Sequence, residues 1–283
     1  MADLMSPMFV EIIGPWLAAA LYLAASAALL RATNISSASG RGVALGIAGA
    51  AALLHAVLQY QAWMHQPLAQ IDVATVLSLC SLVVVALWTS TLARPGGVIE
   101  SGLIALPIAA LANGIDAVFP GPTIAQGSAL AAAAPGTIVH VVSSVIAFGL
   151  LSLAGVYAVL VLLLDHSLKR HHLGRVVQSL PPLDKLEQLL FWLIATGLVV
   201  LTVALGSGLI YVDDLMAQHL VHKTVLSFMA WVVFGALLLG RGLKGWRGIL
   251  AVRLTLAGIA LLLLSYFGSK LVLEVILGRS WYA

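Results

Sequence analysis

Eight stretches of this chain are apolar over lengths that cross a bilayer as helices, and that property limits the fold more than any motif does. A hydrocarbon layer of roughly 30 Å needs about 20 apolar residues in helical conformation, and the backbone inside it must satisfy its own hydrogen bonds. The runs lie near residues 8 to 30, 42 to 61, 71 to 92, 98 to 114, 136 to 164, 186 to 210, 219 to 239 and 248 to 274. A β-barrel is excluded, because barrel strands alternate in segments of about 10 residues, whereas these runs are continuous. With 61% hydrophobic and 9% charged residues and a mean hydropathy of +1.08, no room is left for a soluble domain. The expectation is an all-α, polytopic integral membrane protein of about eight transmembrane helices, a single transmembrane domain with an N-terminal four-helix part (1–114) and a four-helix core (136–276).

Where the basic residues fall predicts which way the chain is threaded. Arg31 and Arg41, then Arg94, then Lys169, Arg170, Arg175 and Lys185, then Arg241, Lys244 and Arg247 occupy alternate loops, 10 of the 14 basic residues. The positive-inside rule makes those loops cytoplasmic and puts both termini outside. The opening MADLMSPMFVEIIGPW lacks the basic n-region of a cleaved signal, so the first apolar run is expected to remain. One cysteine, Cys80, lies within an apolar run and reads as a small buried hydrophobe. There is no C-x-x-C-H for covalent haem attachment. No nucleic-acid partner is expected.

Two connections stand out. Segment 115–135 combines the turn-forming Pro120, Gly121 and Pro122 with small apolar residues, which suits either an ordinary loop or a lid on the membrane surface. Segment 165–185 sets His171 and His172 among Lys169, Arg170 and Arg175, a basic face that attracts anionic lipid headgroups; adjacent imidazoles with no third ligand are a poor metal site.

The densest polar seam is YVDDLMAQHLVHK, from Tyr211 to Lys223, where Asp213, Asp214, His219, His222 and Lys223 put five ionisable groups into the eleven residues from Asp213 to Lys223. Ionisable groups at membrane depth are candidate functional residues by default. Threading gives each histidine a depth: His140 lies in the first turns of span five and His222 in the first turn of span seven, both near the outer surface, while His55 lies roughly 20 Å from the cytoplasmic start of span two. Two neutral imidazoles on opposite sides of a flat macrocycle make a six-coordinate haem iron. His140 and His222 are thus candidate axial ligands of haem b, with His219, one helical turn from His222, as a substitute. The plainer alternative for His140 is an interface histidine bonded to a backbone carbonyl. His55 reads as a second donor near the cofactor or as a packed core residue, and His65 as a loop residue. Tyr266, Lys270 and Glu274, spaced by four, fall on one face of span eight. Lys270 and Glu274 can neutralise each other, or Lys270, Lys223 or Arg279 can meet haem propionates.

Other chemistries find less support. No phosphate loop, H-E-x-x-H or nucleophile elbow is present, and Asp213 with Asp214 makes a thin oxygen cage for a cation. The same seam would also suit the entrance of a small-ion or solute transporter, or of its accessory subunit. A third possibility is a scaffold for a tetrapyrrole-pathway enzyme.

The second half carries a resemblance. The run HVVSSVIAFGLLSLAGVYAVLVLLLDHSLK is similar to the span of cytochrome c assembly proteins that opens with an external haem-ligating histidine. HKTVLSFMAWVVFGALLLGRGLKGWRG and LTLAGIALLLLSYFGSKLVLEVIL resemble the spans that close those proteins. Over roughly residues 136 to 276 the chain resembles the CcsA and CcmC haem-handling family, in its YpjD- or HemX-like inner-membrane branch, distinctive in GWRG and SYFGSK. The resemblance implies a bacterial inner-membrane protein that holds haem b near the periplasmic face and is not an enzyme in its own right. Its partners would be haem, membrane lipids and other haem-handling or tetrapyrrole-pathway membrane proteins. His140 matches the first external histidine of the pattern. Two features of the family do not match: SGLIYVDDLMAQHLVHK stands where a W-G-x-x-W-x-W-D stretch is expected, and LEVILGRSWYA lacks the second external histidine.

Overall fold

The computed structural model describes residues 13–65, 73–92, 97–119, 135–170, 174–211 and 218–268. These residues form α1 (Gly14–Asn34), α2 (Ala38–His65), α3 (Val73–Leu92), a 3-10 turn (Ile99–Ser101) leading into α4 (Gly102–Val118), α5 (Pro135–Lys169), the short α6 (Arg175–Ser179), α7 (Leu183–Tyr211), α8 (Gln218–Lys244) and α9 (Ile249–Leu263), which ends in a π turn (Leu264–Gly268). Eight of these helices are long and apolar enough to cross a membrane, as the hydropathy pattern predicts. No strand occurs among the described residues.

The helices overrun the apolar runs at their basic ends. α5 continues to Lys169 and α8 to Lys244, so Lys169, Arg241 and Lys244 occupy last turns. Positive side chains there complement the helix dipole, and their long stems keep the charge outside the hydrocarbon, so the helix outlasts the hydropathy signal. Much of the expected 165–185 loop is therefore helical, in the end of α5 and in α6.

The chain divides into two compact units, residues 1–133 with 166–182, and 134–165 with 183–283. In the first, α1 packs on α2 and α4, α3 on α4 and α2, and α6 lies against α1. Alanines line these contacts: Ala18, Ala25, Ala48, Ala51, Ala105 and Ala109 are all buried. Small side chains let helix backbones approach closely where there is no water to drive association. At one end of this unit the buried Glu100 pairs with Arg41 at 3.6 Å.

In the second unit, neighbouring helices run antiparallel. Gly136 lies against Tyr211, His140 against Gly208 and Leu151 against Gly197, so numbers rise along α5 as they fall along α7. Trp231 Nε1 donates to Thr202 Oγ1 at 2.9 Å between α8 and α7, and Ser227 meets Ser265 at 2.6 Å between α8 and the π turn after α9. Phe148 packs edge-on against Phe267. α5 and α8 therefore run in the same direction, and each touches both α7 and α9.

GWRG makes the tight connection between α8 and α9. Gly245 takes φ +66° and its N–H donates to Arg241 O at 3.2 Å, the single bond of a helix C-cap with a left-handed C′ residue, and the Trp246 N–H donates to Gly240 O at 3.2 Å. The Gly248 N–H, at the start of α9, donates to Glu187 Oε1 at 2.8 Å, while Oε2 of the same carboxylate lies 3.6 Å from Arg241. One buried carboxylate thus fastens α7 to both α8 and α9. Gly245→Ala is expected to lower stability by about 1–2 kcal/mol, because a Cβ is strained at that φ. Gly242→Ala, at a helical position with open space around it, should be neutral or slightly stabilising. Thermal unfolding of the detergent-solubilised protein compares the two.

Candidate functional site

His140 is the sixth residue of α5, and its ring is held against α7. Nδ1 lies 2.8 Å from Ala204 O. A carbonyl only accepts, so Nδ1 carries the proton, and in the neutral imidazole Nε2 keeps its lone pair. The Ser207 hydroxyl donates to the same carbonyl at 3.0 Å. Below the ring is Gly208: a methyl group placed there would come within 2.9 Å of His140 Cε1 and 3.0 Å of Nδ1, but 3.8 Å from Nε2. The edge carrying Nδ1 and Cε1 is seated in a notch of α7, and Nε2 is turned farther from it. No hydrogen bond to Nε2 is formed within the described residues. The carbonyl bond expected of a plain interface histidine is present. It is also the bond that commonly orients a metal-bound imidazole, fixing the tautomer and raising the basicity of the other nitrogen.

His222 lies in the first turns of α8, and its backbone level follows from the helix register. Thr202 faces Trp231, so the level of Gly208, and with it His140, corresponds to a position near residue 225 on α8. The His222 backbone is about 4.5 Å from that level along the helix axis. His219 belongs to the same turns. Asp213, Asp214, Lys270, Glu274 and Arg279, the segment 120–134, and His171 and His172 lie outside the described residues.

Just below His222, α8 is tied to the end of α9. Ser265 is buried and donates to Lys223 O at 2.8 Å, and so accepts from Ser227. Lys223 Nζ stands 5.9 Å from the centre of the Tyr266 ring, and Tyr266 packs edge-on against Phe267 at 5.0 Å. SYFGSK, singled out in the sequence, thus begins in the π turn, which directs Ser265 and Tyr266 to α8 and Phe267 to α5. The expected face Tyr266–Lys270–Glu274 rests on uniform i, i+4 spacing. Of its three residues only Tyr266 lies among the described residues, within the π turn.

His55 belongs to a different cluster, in the first unit. Nδ1 lies 3.2 Å from Tyr22 Oη and 3.3 Å from Asn113 Nδ2, and Nε2 lies 2.9 Å from Ser78 Oγ. The Asn113 amide nitrogen only donates, so Nδ1 is the acceptor and Nε2 donates to Ser78. Both nitrogens are engaged in a ring that is 1% exposed. That is the packed-core arrangement, with neither nitrogen left for a metal. With His55 on α2, the four members of the cluster come from four different helices, α1 to α4, and a second polar link joins Thr75 Oγ1 to Asp116 Oδ1 at 3.2 Å.

Tyr22, Ser78, Asn113, Gly208, Ser265, Glu100 and Glu187 all do work that reading the sequence did not assign. For the two glutamates a signal existed: each stands at the end of an apolar run in a chain with only 11 acidic residues. The glycine and the small hydroxyls give no such signal, because their use depends on what faces them. No group of three or more potential metal-ligating side chains occurs among the described residues.

The fold and the histidine-bearing helices define a multi-pass, all-helical inner-membrane protein. A family model for cytochrome c assembly proteins matches residues 16–277, and the chain belongs to that family. Among its relatives, the inner membrane protein YpjD of Escherichia coli strain K12 is 38% identical over 144 residues, 51% of this chain and 54% of that protein. An uncharacterized 28.8 kDa protein in the nifR3-like 5′ region of Azospirillum brasilense is 34% identical over 163 residues, 56% of this chain and 58% of that protein. The matches thus span little more than half the length of each relative. No solved structure matches the chain.

Proposed function

We propose that this protein holds haem b near the outer face of the membrane, with His140 Nε2 as one axial ligand and His222 as the other, and that it handles haem without being an enzyme itself. The observation that carries this reading is the His140 imidazole, whose Nδ1–H is committed to the Ala204 carbonyl and whose Nε2 lone pair remains for iron. Membership of the cytochrome c assembly family supports the choice of cofactor.

The other residues have supporting parts. Lys223, beside Tyr266, is a cation suited to an anionic propionate at the interface, as is Lys270; His219 is the substitute ligand. His55 stabilises the first unit and takes no part in ligation. The alternation of basic residues favours outward termini and a periplasmic position for His140 and His222. Bound haem would supply a redox-active iron. The chain's own residues set the tautomer of His140, fix its ring against α7 and anchor the start of α8 through Ser265. Other haem-handling or tetrapyrrole-pathway membrane proteins are the expected partners.

The test is an absorption spectrum of detergent-purified protein after loading with haem. A Soret band is expected, with His140→Ala and His222→Ala each reducing affinity at least tenfold. Absence of the band in the unaltered protein, or a band that neither substitution changes, would reject the reading.

A further inference from the structure

We propose that the first unit contains a phosphate-binding site, separate from the histidines, at the corner where α1 turns into α2. A cavity of about 620 Å³ opens there. Its walls come from the end of α1 (Thr33, Asn34), the turn at Ser36, Arg41 on α2, and Arg175 and Ser179 on α6. The turn is held by a left-handed Ser36, with φ +53°, and by Arg175, whose Nη1 donates to Asn34 O at 3.0 Å. Two arginines and three hydroxyl-bearing residues thus line one space, and no lining residue is acidic.

Two of these donors are already stripped of water. Thr33 is 2% exposed and its Oγ1 has no hydrogen-bond partner, and the Nε atom of Arg41, on a side chain 35% exposed, is itself buried and unpartnered. Buried polar atoms are nearly always satisfied, and leaving one unpaired costs about 1–3 kcal/mol. Glu100 does not meet this need: it pairs with Nη2 of Arg41, leaving Nε unbonded. A tetrahedral oxyanion presents acceptors in several directions, and guanidinium forks suit phosphate oxygens. The cavity is open to solvent and larger than a bare phosphate, so it admits a phosphate ester with a substituent. Lipid headgroups and soluble phosphates share this chemistry, and basic residues at a membrane face favour either.

The experiment uses the full chain in neutral detergent. Native mass spectrometry measures binding of phosphatidylglycerol, with diacylglycerol as the phosphate-free control, and thermal shift measures binding of inorganic phosphate. One bound phosphatidylglycerol, or a saturable shift with phosphate, is expected, with no diacylglycerol bound. Arg175→Gln, at an exposed residue, and Thr33→Val, close in volume, should each weaken binding at least fivefold, whereas Arg31→Gln, outside the cavity, should not. Binding of the lipid alone assigns a headgroup site; binding of inorganic phosphate assigns a site open to soluble phosphates. If neither probe binds, or Arg31→Gln weakens binding as much as Arg175→Gln, the site does not exist.

Discussion

Gly208→Ala is expected to lower haem affinity by about 10- to 100-fold while the helices remain assembled, the range seen when an outer partner of a metal-bound histidine is lost. The added methyl would stand 2.9 Å from His140 Cε1, closer than real contacts allow. The imidazole is the flexible partner, so it gives way and its bond to Ala204 O is broken or lengthened. Nothing else in the substitution touches the proposed ligands. Gly206→Ala, two residues earlier on α7 and with open space around it, is the matched control and should bind haem normally. Haem titration followed at the Soret band measures both. Equal affinities for the two variants would mean that the α7 notch does not orient the ligand.

His55→Leu is expected to destabilise the protein by about 3 kcal/mol. The imidazole is 1% exposed and meets Tyr22, Ser78 and Asn113, so its removal leaves several buried polar groups short of partners at once. Hydrogen bonds between membrane helices average nearer 0.6 kcal/mol, which makes the result a measure of cooperation within the cluster. Tyr22→Phe alone should cost about 1 kcal/mol. In a double-mutant cycle with His55→Leu, the second loss should be largely absorbed, giving a coupling energy of about 1 kcal/mol. Chemical unfolding in mixed micelles reads each value. If the two losses simply add, the histidine and tyrosine are independent despite their 3.2 Å approach. Haem binding by His55→Leu should be retained in the fraction that folds, because His55 has no nitrogen left for iron.

The contrast between the two histidines shows what can be read from a chain of this kind. His140 and His55 look alike in sequence, each a lone imidazole in an apolar run, and only depth distinguishes them there. In the structure one faces a backbone carbonyl with a single nitrogen and the other is saturated on both sides. Asn113 and Ser78 determine that outcome for His55, from 58 and 23 residues away along the chain. SYFGSK drew attention as a pattern, but what Ser265, Tyr266 and Phe267 touch depends on a π turn and on the helices that face it. GWRG drew attention only as part of the family resemblance, and the Glu187 carboxylate that fastens it comes from 61 residues away.

The order of apolar residues along the chain alone determined that it becomes membrane-crossing helices, how many there are and roughly where each begins, because apolar length and backbone self-satisfaction are local requirements of the hydrocarbon layer. Which helix lies beside which, and therefore which histidine keeps a nitrogen for a ligand, was decided only by tertiary packing. Lipid-facing and protein-facing apolar residues look the same in a hydropathy pattern, and the notches, hydroxyls and carbonyls that distinguish neighbours act across helices distant in sequence.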